Sequence, residues 1–259
     1  MKGVRRVVQG RSLVRVAALY DIHGNAPALE AVVEELERVN PDLVVVGGDV
    51  LAGPLPLETL HLLRTLPREK VFVRGNADRA LLEHLGGSSQ AAEPADTWMA
   101  DRLTQADIDL IALFRDTFTA RIDGLGTVTF CHATPRSDEE IVTSATPEEV
   151  VHDAFAGAKG WVCVCGHTHV QYDRRAGDFR IVNPGSVGMP YEDAGPGAYW
   201  ALLGPDVELR RTTYDLQAAA ERIRIGGWEQ AADFAREHVL SVPSGTQATD
   251  YFEGVAGRG

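Results

Sequence analysis

Leu43-Val44-Val45-Val46 is an unbroken aliphatic run that ends in Gly47-Gly48-Asp49. A run with no polar alternation implies a strand covered on both faces, the usual setting of a parallel sheet between layers. The residues around it follow the same grammar. Val14–Tyr20 reads as an earlier strand, and Leu29, Val32, Val33, Leu36 and Val39 then fall at helical spacing. Asn25 is the expected N-cap of that helix, with Pro27 in its first turn. A helix around Leu57–Leu66 and a strand over Lys70–Val73 complete a βα alternation.

The second half changes to hairpins. Asp123-Gly124 is placed to turn between Thr117–Ile122 and Thr127–Phe130, and Ala176-Gly177-Asp178 between two further short strands. Residues 86–97 read as a surface loop, followed by a helix with Thr104 as N-cap and Asp107 three residues on. A helix near Pro147–Phe155 precedes strands at Trp161–Cys165, Phe179–Val182, Ala198–Leu203 and Val207–Tyr214, with helices at Leu216–Ile225 and Glu229–Val239. No linker demands a split, so the expected organisation is an extension over residues 1–12, one domain over 13–242 and a disordered tail over 243–259.

The polar residues that interrupt this pattern fall at strand ends. Asp21-Ile22-His23 closes the first strand, Asp49 the second and Asn76 the third; His132 follows Val128–Cys131, and His167-Thr168-His169 follows Gly166. Ligands of open α/β sheets bind at the carboxyl ends of strands, so five segments deliver these side chains to one edge. Two carboxylates, one amide and four imidazoles form a nitrogen–oxygen donor set without thiolate. That set suits Mn, Fe, Zn, Co or Ni. Seven donors exceed one tetrahedral ion and match two divalent ions sharing a carboxylate. Gly24, Gly48, Gly53, Gly75 and Gly166 flank the donors and allow tight turns or close backbone approach.

Composition narrows the alternatives. A net charge of −12 argues against long nucleic acid as a partner while leaving room for a small anionic substrate. No apolar run is long enough for a membrane span, and the basic start lacks the apolar core of a signal peptide; a cytoplasmic location is expected. Cys131, Cys163 and Cys165 are an odd, sparse set. Cys163 and Cys165 share a strand face and read as core residues rather than a metal or redox pair.

Asp21-x-His23, Gly48-Asp49 with Gly53-Pro54, Gly75-Asn76, His132, Gly166-His167-x-His169 and the block Asn183–Gly188 together resemble the signature of calcineurin-like metallophosphoesterases, in particular the small bacterial and archaeal phosphodiesterase-like branch. The resemblance spans about Val14–Tyr214. It implies a four-layer αββα sandwich: two mixed sheets flanked by helices, with metals at the strand ends. It also implies that Asp21, His23 and His169 hold one ion, that Asn76, His132 and His167 hold the other, and that Asp49 bridges them. A metal-bridging hydroxide would attack phosphorus in line, and Asn25 with nearby backbone amides would meet the phosphoryl oxygens.

One position departs from the pattern. Many relatives carry a histidine after the Gly-Asn pair to assist the leaving group, and here that residue is Ala77, followed by Asp78. The departure favours a small phosphodiester or nucleotide as substrate. Symmetrical dinucleoside polyphosphate hydrolysis and phosphomonoester or phosphoprotein hydrolysis are the alternatives. A protein-interaction scaffold, the use made of this fold by a retromer subunit with an altered metal site, is the non-enzymatic one. Asp78 is a candidate proton donor, but its reading as N-cap of the helix through Leu81 and Leu82 is preferred. Arg74, Arg79 and Arg136 are candidates for substrate phosphate, Tyr191 and Glu192 for a loop near the site, and Trp161, Trp200 and Trp228 for core or interface.

Overall fold

The computed structural model describes residues 12–87 and 94–258, with the backbone alone for 94–96. The expected extension over 1–12 therefore falls almost wholly outside the described residues. The first sheet contains β1 (Val16–Leu19), β2 (Leu43–Val46), β3 (Lys70–Phe72), β9 (Ala198–Leu203) and β10 (Val207–Thr212), in the order β10-β9-β1-β2-β3. β1, β2 and β3 are parallel, and the β9–β10 hairpin adds antiparallel to β1. The second sheet has the order β4-β5-β6-β8-β7, from β4 (Thr117–Ile122), β5 (Gly126–Cys131), β6 (Val162–Val164), β7 (Tyr172–Ala176) and β8 (Phe179–Asn183). In it β5, β6 and β8 are parallel.

Strand periodicity sorts the side chains into layers. Val16 and Ala18 of β1, and Tyr20 just after it, face inward and pack with Val45, Val71, Phe118, Phe130, Val164 and Val182 between the two sheets. Ala17 and Leu19 point the other way, onto α1 (Ala26–Val39) and α2 (Pro56–Thr65) through Leu29, Val32, Leu36, Leu60 and Leu63. Behind the second sheet, Cys131, Cys163, Cys165 and Ile181 pack beneath Val151, Ala154 and Phe155 at α6 (Glu148–Ala154). The three cysteines are free and buried, the core role expected of them. Two mixed five-stranded sheets flanked by helices result, as the resemblance implied. Among the described residues, no helix is long and apolar enough to cross a membrane.

Between these lie α3 (Asn76–Leu85), α4 (Pro94–Ala100) and α5 (Gln105–Ile111), whose Thr104–Asp107 capping box forms as read from the sequence. Two expectations fail. The loop placed over 86–97 lies outside the described residues at 88–93 and gives way to α4 from Pro94. Met99 of α4 enters the core, and Trp98 packs against Trp228, with 6.4 Å between ring centroids.

The disordered tail is also corrected, because a helix occupies Gly245–Val255. It follows α7 (Leu216–Arg224), α8 (Ala231–Phe234) and a π-helical turn over Ala235–Leu240, and is α9 here. Ser244 caps its start by accepting from the Gln247 N–H. Glu253 anchors its far end, accepting from Thr143 and Thr146 hydroxyls at 2.6 Å each and from Arg258.

Candidate metal centre

Strand ends from both sheets meet at one place. Asp21, His23, Asp49 and Asn76 follow β1, β2 and β3, while His132 follows β5 and His167 and His169 follow β6. Asp21, His23, Asp49, His167 and His169 all have positive φ, between 47° and 69°. This left-handed backbone is unusual for residues other than glycine and turns each side chain back across the strand end. Gly75 explains how tightly the loops converge: a Cβ there would lie 2.1 Å from Asp49 Oδ1. The backbone can come this close only where there is no side chain.

The imidazoles are aimed from behind. His23, His132 and His169 place Nδ1 at 3.1, 2.9 and 2.8 Å from the carbonyls of Ala52, Gly47 and Met189. A carbonyl can only accept, so Nδ1 carries a hydrogen, and in the neutral ring Nε2 keeps its lone pair toward the centre. There, His23 Nε2 and His169 Nε2 are 3.1 Å apart, His169 Nε2 is 3.5 Å from Asp21 Oδ1, and His132 Nε2 is 3.0 Å from Asn76 Oδ1. Asp49 Oδ1 accepts from the Ala77 N–H at 2.8 Å, leaving Oδ2 between His23 Nε2 at 3.8 Å and His132 Nε2 at 3.5 Å.

Two donor groups result, Asp21–His23–His169 and Asp21–Asp49–His132, each with its atoms within 4.8 Å of one another. The His167 ring stands 5.4 Å from that of His132. Asp21 Oδ1 is buried without a hydrogen-bond partner, although Oδ2 accepts from the His167 N–H at 3.1 Å. An orphaned carboxylate oxygen facing imidazole lone pairs fits a divalent cation.

Electrostatics agree with that fit. Burial alone would raise the Asp49 carboxyl, yet the charge and hydrogen bond of His132 outweigh it and hold Asp49 far below the carboxylate range. His132 is pushed up to about 10 because Asp49, and behind it Asp21, outweigh its own burial. Burial and the neighbouring His132 bring His167 down to about 4. Two buried carboxylates thus demand positive charge between them, which a proton on His132 meets in part and a divalent cation meets more fully.

Asn25, expected to meet phosphoryl oxygens, is fully buried with its amide engaged: Oδ1 accepts from Ala28 N–H at 3.2 Å and Nδ2 donates to the Gly188 carbonyl at 2.9 Å. It is the α1 cap and a tie to the turn beneath the site. Asp78 is not the N-cap of α3 either. It lies at the third position of the helix, and its carboxylate accepts from the N–H groups of Gly75, Asp49 and Val50 at 3.0, 2.9 and 3.1 Å. Burial and the nearby Asp49 push it up to about 7.

Ser186 donates to the Asp21 carbonyl at 2.6 Å and Asn183 to the Gly166 carbonyl at 3.0 Å, so the Asn183–Gly188 block supports the strand ends from beneath. Tyr191 comes to 4.9 Å from the His169 ring and Glu192 accepts from Gln171 N–H, so that loop does approach the site. His238, from the π-helical turn, was not singled out from the sequence; its ring lies 6.2 Å from Tyr191, and burial with the nearby His169 brings it down to about 4. Only tertiary packing brings it there, and no motif marks it. Trp200 is buried, whereas Trp161 is 60% exposed.

Comparison with known proteins agrees with this geometry. The chain is 25% identical over 228 residues to an uncharacterised protein of Methanocaldococcus jannaschii, covering 80% of this chain and 91% of that one. A metallophosphoesterase of Sphaerobacter thermophilus superposes with a TM-score of 0.67 at 25% identity, covering 88% of this chain and all of the other. A hypothetical protein of Pyrococcus horikoshii has a TM-score of 0.71 at 18% identity, covering 86% and 97%, and shows the shared fold. The domain model described as the calcineurin-like phosphoesterase superfamily domain matches residues 14–203. The chain therefore belongs to the calcineurin-like phosphoesterase superfamily, as a hydrolase acting on phosphoester bonds.

Proposed function

We propose that this protein is a dinuclear metal-dependent hydrolase of a small phosphodiester or nucleotide, working in the cytoplasm. The observation that carries the reading is the convergence of imidazole Nε2 atoms with the orphaned Asp21 Oδ1 and the unshared Asp49 Oδ2. Asp21, His23 and His169 would hold one divalent ion, Asn76, His132 and His167 the other, with Asp49 between them. Such a pair supplies charge neutralisation at phosphorus and an activated water at neutral pH. Mn, Fe, Zn, Co and Ni all suit the donor set.

The chain's own residues prepare that chemistry. The Ala77 N–H fixes one Asp49 oxygen so that the other faces the centre. Asp78 holds the backbone of Asp49 and Gly75 together, which sets the spacing of the second and third strand ends. Ala77 offers no proton to a leaving group, which favours esters whose leaving oxygen needs little help. Suitable residues at all seven donor positions of the sequence argue against a scaffold without chemistry, and three free buried cysteines suit a reducing compartment.

The test is hydrolysis of bis-p-nitrophenyl phosphate by Mn-loaded protein, compared with the mono-ester. Asp49→Ala and His132→Ala should each lower the rate by more than the roughly 100-fold typical of losing a supporting residue. Undiminished activity in either variant, or after complete chelation, would overturn the mechanism. A faster mono-ester than bis-ester rate would overturn the phosphodiester preference alone.

A further inference from the structure

A cleft of about 310 Å³ opens beside His132, lined by Arg74, Arg79, Arg136, Asp116 and Thr134 among others. Because a donor of the metal centre forms part of its wall, an ester bound at the centre has this space for one of its substituents. Three guanidinium groups in one cleft are notable in a chain of net charge −12. Their hydrogen bonds show that they are not equivalent.

Arg79 spends four of its five N–H donors. Its Nε and Nη2 reach both oxygens of Asp138 at 2.7 and 3.3 Å, Nη2 also meets Glu139 at 2.7 Å, and Nη1 meets Glu83 at 3.2 Å. Arg136 is committed as well, with Nε and Nη2 on Glu140 at 2.9 and 2.6 Å and Nη1 on Asp153 at 2.8 Å. Paired forks of this kind hold loops in place, and each leaves one of its five N–H donors beyond the carboxylates and carbonyl it meets.

Arg74 differs. It gives one nitrogen, Nη2, to Asp116, and among the described residues its Nε and Nη1 donate to no protein group. Asp116 is itself 78% exposed, and an ion pair with so wet a partner contributes on the order of 0.2–1 kcal/mol. The Arg74 backbone is nevertheless fixed, donating to the Arg115 carbonyl at 2.7 Å, two residues before Asn76. A well-placed guanidinium with an unspent fork and a weakly held counter-ion is suited to bidentate capture of a phosphoryl group.

We propose that Arg74 is a specificity-determining residue that binds a second phosphoryl group of the substrate, with Asp116 competing for the same guanidinium. The substrate then carries a phosphate beyond the scissile ester, as a phosphorylated nucleotide does. This rests on the phosphoesterase reading above and adds to it the charge of the remote part of the substrate. Asp116 acts as a selectivity filter: an uncharged substituent gains nothing by displacing it, whereas a phosphate replaces one anion by a more highly charged one.

The test uses Mn-loaded protein and two matched esters, thymidine 5′-(p-nitrophenyl phosphate) with and without a 3′-phosphate. Wild type should show a lower KM for the 3′-phosphorylated ester. Arg74→Gln should raise that KM by about tenfold to a hundredfold, the range for a lost charge-assisted hydrogen bond, with kcat and the unphosphorylated ester little changed. Asp116→Asn should lower it. Calorimetric binding of thymidine 3′,5′-bisphosphate against thymidine 5′-phosphate should show the same pattern without turnover.

The proposal fails if Arg74→Gln affects both esters equally, if wild type shows no preference for the extra phosphate, or if Asp116→Asn weakens binding. Should folded, metal-loaded wild type hydrolyse neither ester, the phosphoesterase reading itself fails, an outcome separable from the others.

Discussion

Asp78 accepts from three backbone N–H groups that no other protein group serves in that loop, and it does so without touching the cleft beside the centre. Removing it leaves three buried donors unpaired, each costing about 1–3 kcal/mol before relaxation. Asp78→Ala should therefore destabilise the protein by several kcal/mol, read as a lower urea midpoint at unchanged slope, and weaken metal binding through Asp49. Asp78→Asn keeps the size but trades an acceptor oxygen for an NH₂ donor, and should fall between Asp78→Ala and wild type. An Asp78→Ala protein as stable as wild type would show that these bonds are replaced by water. From the sequence, Asp78 looked like a helix cap because Leu81 and Leu82 set the helical frame after it. Its real partners include Asp49, 29 residues away, and such a pairing has no local pattern. The candidate metal donors were legible for the opposite reason. Each sits where an apolar run stops, so its position is written in local sequence, whereas the spent amide of Asn25 depends on Gly188, 163 residues later.

At the scale of elements, short strands and capped helices follow local rules, and the capping box at Thr104–Asp107 formed where those rules placed it. The final helix did not announce itself because polar groups dock its end. Glu253, only 7% exposed, is tied to Thr143, Thr146 and Arg258, and hydropathy carries no sign of that network. It gives the helix an acid-sensitive anchor. Hydrogen bonds from Arg258, then from the two threonines, outweigh burial and hold the Glu253 carboxyl at about 2, below its ordinary 4.5. A depressed carboxyl stabilises the fold at pH above its unfolded value and loses that contribution as pH falls toward its folded value. The helix should therefore loosen between about pH 4.5 and 2, seen as rising hydrogen exchange over Gly245–Val255. After allowance for solvent screening the contribution is roughly 1–2 kcal/mol. Glu253→Gln should remove the acid sensitivity and destabilise the helix at neutral pH; exchange that rises with acid equally in wild type and variant would refute the anchor.

Over the whole molecule, the centre is a seam. Asp21, His23, Asp49 and Asn76 belong to the first sheet, while His132, His167 and His169 belong to the second. Metal bound there would add to the apolar packing of Val45, Val71, Phe118 and Phe130 that already joins the two sheets. A ligand that binds only the folded state stabilises it by mass action, about 2.7 kcal/mol at a hundred times its Kd. Mn addition should raise Tm accordingly and chelation should reverse it, with Asp49→Ala protein responding less. Equal shifts in wild type and Asp49→Ala would place the stabilising metal elsewhere. The layered architecture was readable because aliphatic runs fix which strands are covered on both faces, and the strand-end positions of the polar residues were the ground for expecting them at one edge.

Five candidate donors hold a left-handed backbone that glycine adopts more readily than any residue with a side chain. The candidate catalytic edge is thus shaped before any substrate arrives, and a lineage released from hydrolysis has a direct route to a sturdier, inert protein. Glycine at positions 23, 167 and 169 would relax the backbone while leaving the sheets beneath intact. Decay of such an enzyme would begin at its ligands and leave the fold standing.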